Sequence, residues 1–271
     1  MKKYSIEFIR NTKNKKILAE VLRRGENDRV SWYASYNSNC PPEVLAEVLR
    51  RGNDDAISRN AANNSNCPSE ALAEVLRRGE NNYVSQFAAL NPNCHPEVLA
   101  EVLKRGNNDN VSWYAARNPN CPPEVLAEIL RRGKDDGVSC NAAYNSKCSP
   151  ELLAEVLRRG NNDSVSSWAA RNPNCPPEVL AEVLRRGKDD AVSWNAARNP
   201  NCPPEALAEV LRRGKDDTVS REAALNPTYK KYLIKIQRSE KQLKLKEEKF
   251  NSNIRSNVNS LFYGIQVNDD R

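Results

Sequence analysis

The sequence predicts an all-α protein, an α-solenoid of about eight stacked helical hairpins with terminal caps. Three observations predict it. The first is a period: Cys40, Cys67, Cys94, Cys121, Cys148, Cys175 and Cys202 lie 27 residues apart. Seven aligned copies of the segment Asn172 to Arg198, NPNCPPEVLAEVLRRGKDDAVSWNAAR, run end to end around them, and a degenerate copy, Asn11 to Tyr36, precedes these. A fixed period in this range marks a solenoid, in which each unit buries its apolar face only against its neighbours. The second observation is that each unit holds two helical patterns with marked ends. The third is that the core positions barely change between copies, while one face of the second helix does.

The first half of the unit, PPEVLAEVLRRG, is read as a helix. Pro176 and Pro177 sit where the first turn has amide protons to spare, and Glu178 suits the positive end of the helix dipole. Arg185 and Arg186 suit the negative end, and Gly187 supplies the left-handed residue that stops the helix. Val179, Leu180, Val183 and Leu184 form an apolar stripe; Glu178, Glu182, Arg185 and Arg186 fall on the wet face, with Glu182 and Arg186 four apart as an intrahelical pair. The second half, DDAVSWNAAR, is read as a shorter helix with Asp189 or Asp190 as its N-cap. Its core face is Val192, Ser193, Ala196 and Ala197, small enough to let helices approach closely. NPNCPP then turns the chain into the next unit.

Four positions of the second helix vary at spacing i, i+3, i+4, i+7, which places them on one helical face. In chain order they hold Arg29, Trp32, Tyr33 and Tyr36; Ala56, Arg59, Asn60 and Asn63; Tyr83, Gln86, Phe87 and Leu90; Asn110, Trp113, Tyr114 and Arg117. They continue as Gly137, Cys140, Asn141 and Tyr144; Ser164, Ser167, Trp168 and Arg171; Ala191, Trp194, Asn195 and Arg198; Thr218, Arg221, Glu222 and Leu225. All ten aromatic residues of the array lie on this stripe with six arginines and one glutamate, and no lysine does. Free surface drift would leave Lys, Glu and Ser rather than four tryptophans. Trp, Tyr and Arg are the residues enriched in binding hot spots, so a constant scaffold with this variable face reads as a recognition surface.

The termini differ from the array. Residues 1–16 carry six bases and one acid, and residues 226–271 ten bases and five acids, each a balance of +5 within a formal net charge of +7. The array therefore carries −3; with +5 on the stripe, the rest of its surface carries −8. That two-sidedness differs from the uniform basicity of a general nucleic-acid binder. Residues 1–10 are expected to form an N-terminal cap, with Tyr4, Ile6, Phe8 and Ile9 over the open end of the first unit. Residues 226–271 are expected to form a C-terminal capping helix and basic tail, with Tyr229, Tyr232, Leu233 and Ile236 closing the last hairpin. The charged run Arg238 to Lys249 is read as solvated, and Leu261 to Val267 as an apolar patch that folds back or meets a partner. No stretch suggests a signal peptide or a membrane span, so a cytoplasmic protein is expected.

Neither a disulfide framework nor a metal site is expected. Ladder cysteines one unit apart exceed the roughly 7 Å between α-carbons that a disulfide tolerates, and no CxxC or Cys-His cluster exists. The ladder cysteines read as small buried hydrophobes, Cys140 as a more accessible thiol on the stripe, and His95, the single histidine, as a turn variant where most units have proline. No nucleophile–base pair, phosphate loop or cofactor fingerprint is present, so neither an enzyme nor a cofactor is expected.

The run DDxVSxxAAxNPNCPPEVLAEV, as at Asp189 to Val210 with Ala206 in place of Val, resembles the leucine-rich repeat variant family. That family repeats Asp, Val, Ala, Asn-Pro-x-x-Pro and then leucines; the resemblance covers residues 11–225 and implies a right-handed solenoid without β structure. The unit here has a longer connector, RRGKDD, and residues 1–39 hold no cysteine, so the iron–sulfur cluster of one family member is not implied. In general design the array is also similar to HEAT and armadillo repeats.

The function expected is non-enzymatic recognition of a protein or extended peptide by a monomer. Arg and Trp would be the anchors, and Asn60, Asn141 and Asn195 would hydrogen-bond a peptide main chain. The alternative is a reader of single-stranded nucleic acid that stacks bases on the aromatics. A self-assembling scaffold is a third reading, which the two terminal caps disfavour.

Overall fold

The structure, a computed structural model, describes residues 4–266, with side chains to residue 255. Among the described residues there are eighteen helices and no strand. In chain order they are α1 (Ile6–Asn11), α2 (Lys15–Arg23), α3 (Arg29–Tyr36), α4 (Pro42–Arg50), α5 (Ala56–Asn63) and α6 (Ser69–Arg77). Then come α7 (Tyr83–Leu90), α8 (Pro96–Lys104), α9 (Asn110–Arg117), α10 (Pro123–Arg131), α11 (Gly137–Tyr144) and α12 (Pro150–Arg158). The last are α13 (Ser164–Arg171), α14 (Pro177–Arg185), α15 (Ala191–Arg198), α16 (Pro204–Arg212), α17 (Thr218–Leu225) and α18 (Pro227–Gln266). From α2 to α17 the even helices are the first helices of the units and the odd ones the second. Each first helix packs on the second helix of its own unit, and each kind stacks on its like in the next unit, giving an α-solenoid of two parallel rows.

Local chemistry sets each boundary. Pro177 occupies the first turn of α14, where no amide proton is needed, and Gly187 ends the connector turn at φ 67°, a conformation strained for any residue with a β-carbon. The N-cap of α15 is Asp190, whose carboxylate accepts from the Ser193 N–H at 2.8 Å. Asp189 reaches the next unit and accepts from the Thr218 hydroxyl at 2.5 Å. Both faces read as core are buried: Val179, Leu180, Val183 and Leu184 on the first helix, and Val192, Ser193, Ala196 and Ala197 on the second. All seven ladder cysteines are buried beside them, as small apolar fillers at the turn between units.

Three ladders of hydrogen bonds join unit to unit. In the first, the buried amide of Asn172 donates to the carbonyls of Ala143 at 2.7 Å and Asn145 at 3.1 Å in the preceding unit, and its Oδ1 accepts from the Asn174 N–H at 2.8 Å. Asn64, Asn91, Asn118, Asn145, Asn199 and Asn226 repeat the contact. In the second, Arg51, Arg78, Arg105, Arg159, Arg186 and Arg213, each just after a first helix, donate to the last-turn leucine carbonyl of the unit before, as Arg186 does to Leu157 at 2.8 Å. The third is a set of exposed ion pairs between successive first helices: Arg23–Glu47, Arg50–Glu74, Arg77–Glu101, Arg131–Glu155 and Arg158–Glu182. The intrahelical Glu182–Arg186 pair read from the sequence is not made: Glu182 accepts from Arg158 and Arg186 donates to the Leu157 carbonyl, while its equivalent Glu155–Arg159 forms at 2.9 Å beside the interunit bonds.

Among the described residues two joints lack the ion pair: between α14 and α16 Glu209 turns to Arg213 at 3.6 Å while Arg213 keeps its bond to the Leu184 carbonyl, and between α8 and α10 the carbonyl bond is missing as well. Lys104 stands where the arginine of the ion-pair ladder belongs. Glu128, without a partner on α8, pairs with Arg132 four residues on at 2.8 Å. Among the described residues Arg132 makes no bond to the Leu103 carbonyl, whereas Arg105 and Arg159 on either side make theirs at 2.9 Å. The contact between α8 and α10 is the loosest between successive first helices. A groove of about 600 Å³ opens there beside Ala100, Lys104, Val125 and Lys147.

At the start of the chain, α1 occupies the place of a second helix. It packs on α3, Ile9 is buried, and its carbonyl accepts from the Asn37 amide at 2.9 Å. Tyr4 and Ile6 are half-buried, but Phe8, expected to cover the end, is exposed and stacks on Tyr4 at 5.8 Å. At the other end Tyr229 packs on the core, and Tyr232 and Ile236 are half-buried. Leu233 is exposed, since the helix turns that face away from α16 and α17. Arg238 to Lys249 is exposed, and the patch expected at Leu261 to Val267 lies beyond the described side chains.

Candidate functional site

The stripe is continuous because the second helices stack in register, each starting 27 residues after the last. Its four columns differ in depth. The i+4 column (Tyr33, Asn60, Phe87, Tyr114, Asn141, Trp168, Asn195 and Glu222) is half-buried throughout. Tyr33, Phe87, Tyr114 and Trp168 pack on the core, so these aromatics are wedges between units as much as surface. The i+3 column is mixed: Trp113 and Arg221 are exposed, while Trp32, Arg59, Gln86, Cys140 and Trp194 are half-buried. The outer columns are the most open. Arg29, Tyr83 and Asn110 are exposed at position i, and Tyr36, Asn63, Arg117, Tyr144, Arg171 and Arg198 at i+7.

Neighbouring units touch along the stripe at particular junctions. The i+3 side chain leans on position i of the next unit: the Arg59 guanidinium lies 4.4 Å from the centre of the Tyr83 ring, and Trp113 lies over Gly137. The i+7 side chain meets i+4 of the next unit, so Tyr144 and Trp168 pack edge to face with ring centres 5.1 Å apart. In the first unit Trp32 stacks on Tyr36 at 5.5 Å and meets Tyr33 edge-on at 4.9 Å.

The stripe arginines fall into two groups. Arg59 and Arg221 are tied to Asp54 and Asp216, five residues earlier, at 3.2 and 3.0 Å. Trp113 makes the equivalent bond from its indole N–H to Asn108 at 2.8 Å. Among the described residues Arg29, Arg117, Arg171 and Arg198 have no carboxylate partner. Two of these lie over aromatic rings: Arg171 is 5.1 Å from Trp168 and 6.0 Å from Tyr144, and Arg198 is 5.1 Å from Trp194.

The amide nitrogens of the three asparagines expected to meet a peptide backbone already donate within the chain. Asn60 bonds the Trp32 carbonyl at 3.2 Å, Asn141 that of Gly137 and Asn195 that of Ala191, both at 2.8 Å. The edge beyond position i is acidic, since the N-caps are Asp28, Asp55, Asp109, Asp136, Asp163, Asp190 and Asp217, with Asn82 in the remaining unit. The stripe thus runs from an acidic margin through aromatics to a margin holding Arg117, Arg171 and Arg198.

Burial pushes the thiol of Cys140 up to about 11, far from the thiolate form. Among the described residues no cluster of three or more His, Cys, Asp or Glu is arranged to hold a metal, and no helix is long and apolar enough to cross a membrane. The asparagine ladder beside the site was not recognised in the sequence, where Asn-Pro read only as a turn. Its signal was the constancy of that asparagine from unit to unit, equal to that of the cysteine. No protein-family model, no curated protein and no solved structure matches this chain.

Proposed function

We propose that this protein is a non-enzymatic recognition solenoid that binds a protein or an extended peptide along the second-helix stripe. One observation carries this reading: the variable positions include two exposed columns, and Tyr144 and the rings of Trp168 and Trp194 stand beside Arg171 and Arg198, which have no carboxylate partner among the described residues. Successive second helices are in closer contact than successive first helices, which supports a stack curved toward the stripe. The repeat is a long-connector variant of the leucine-rich repeat variant plan. The protein works as a cytoplasmic monomer without a cofactor.

A second reading, binding of single-stranded nucleic acid, is favoured by the exposed basic residues of α18, Lys241, Lys244, Lys246 and Lys249. The acidic N-cap margin counts against it, because a phosphate backbone following the stripe would run beside a line of carboxylates.

Tryptophan fluorescence tests both. A mixed peptide library and mixed single-stranded oligonucleotides are titrated at about 50 and 200 mM salt. A response to peptide that is lost in the Trp113→Ala/Arg117→Ala variant supports the recognition reading. A response to oligonucleotide alone, falling steeply with salt, replaces it with the second.

A further inference from the structure

The recognition reading names a surface but not the chemistry of its ligand, and the stripe arginines supply that chemistry. In Arg59 and Arg221 the charge is answered within the chain, by Asp54 and Asp216. In Arg117, Arg171 and Arg198 it is not, although aspartates stand at the other end of every one of these helices. All three occupy the i+7 column and are exposed. The guanidinium groups of Arg171 and Arg198 lie over the rings of Trp168 and Trp194, each 5.1 Å from the ring centre, which limits how far each side chain can swing. A guanidinium without a carboxylate of its own is a planar fork that complements one.

We propose, on the basis of that recognition reading, that the ligand is an acidic peptide bound in extended form along the i+7 column, with its carboxylates in register with Arg117, Arg171 and Arg198. The spacing follows from two repeats. Stacked helices lie roughly 8–10 Å apart, and an extended chain rises about 3.3 Å per residue, so one repeat of the solenoid matches about three residues of peptide. Arg171 and Arg198 lie in adjacent units, and Arg117 lies two units before Arg171 with Tyr144 between them. The peptide therefore carries a carboxylate, then an apolar residue against Tyr144, then two further carboxylates, each about three residues after the last. The acidic N-cap margin on the far side of the aromatics repels a second row of carboxylates and sets which face of the peptide turns inward.

Nucleic acid fits less well. Its charge repeats without a gap, whereas the arginine column is interrupted at Tyr144 and ends at Leu225.

The test is fluorescence anisotropy with labelled peptides of about 12 residues on the full chain. One peptide carries Glu at its first, seventh and tenth residues with Leu at the fourth, and a second carries the reversed spacing. A third has the same composition with the glutamates adjacent. One in-register peptide is expected to bind at least tenfold more tightly than the clustered control. The Arg171→Ala/Arg198→Ala variant, checked for an unchanged melting temperature, is expected to lose at least tenfold. Arg171→Lys/Arg198→Lys keeps the charge but not the fork and is expected to fall between. Equal binding of all three peptides, or indifference to the arginine variant, overturns the proposal. Tight binding of a neutral peptide from the library, with no binding of the acidic ones, also overturns it while leaving the recognition reading intact. Displacement by an oligothymidylate, steeply weakened by salt, overturns both.

Discussion

The indole of Trp113 lies so close over Gly137 of the next unit that a β-carbon on that glycine would sit 2.5 Å from the ring. The contact couples two stripe positions whose identities vary independently elsewhere in the array. Its consequence is testable: Gly137→Ala forces the indole to shift and breaks its 2.8 Å bond to Asn108. Trp113 emission should move to the red and become easier to quench. Stability should change by less than about 1 kcal/mol, because the gain in helix propensity on replacing glycine offsets the displaced ring. An unchanged Trp113 spectrum would show that the two residues do not touch.

The asparagine ladder should be the most sensitive polar element. Asn172→Ala removes two donated bonds and one accepted bond and leaves the carbonyls of Ala143 and Asn145 buried without that donor. The expected loss is about 3 kcal/mol, read as a lower urea midpoint. An exposed change elsewhere on the stripe, Asn63→Ala, should cost less than about 0.5 kcal/mol.

Lys104→Arg should repair the loose joint between α8 and α10. An arginine there can pair with Glu128 as Arg131 pairs with Glu155, drawing α10 toward α8 until Arg132 reaches the Leu103 carbonyl, just as Arg159 bonds both Glu155 and the Leu130 carbonyl. Exposed pairs contribute little, so a stabilisation of about 0.5–1 kcal/mol is expected. Slower hydrogen exchange in α8 and α10 should accompany it. Exchange that does not change would mean the groove is not set by Lys104.

The ladder thiols should be inert in the native state. Burial pushes Cys40, Cys67, Cys94, Cys121, Cys148, Cys175 and Cys202 up to about 12 from an ordinary value of 9.0. A folded-state value above the unfolded one means the folded chain holds its protons more tightly. The associated stability is complete below pH 9.0 and is lost as the pH rises from there toward about 12. A thiol reagent at pH 8 should label Cys140 first and slowly, and all eight cysteines only after unfolding. Fast labelling of Cys175 in the native protein would contradict its burial.

Much of this architecture is written in residues that act locally. Pro177 and Gly187 bound a first helix whatever surrounds it, and Asp190 caps a second helix through the N–H of Ser193, three residues on. The 27-residue period turns one hairpin into an array, and the i, i+3, i+4, i+7 spacing places the variable side chains on one face. Those inferences need only short-range rules, and the sequence by itself was enough for them.

What only the tertiary structure decided is which side chains are spent between units. Asn172 reads as a turn residue until the Ala143 and Asn145 carbonyls are brought beneath it. Glu182 reads as the partner of Arg186 until Arg158 arrives from the unit before. On the stripe, Arg59 and Arg198 both read as anchors, yet one bonds Asp54 and the other lies over Trp194 with no carboxylate partner. The reason is physical: a contact across units depends on how closely two hairpins stack and which rotamers that spacing admits. Neither is set by the local pattern that marks the helices.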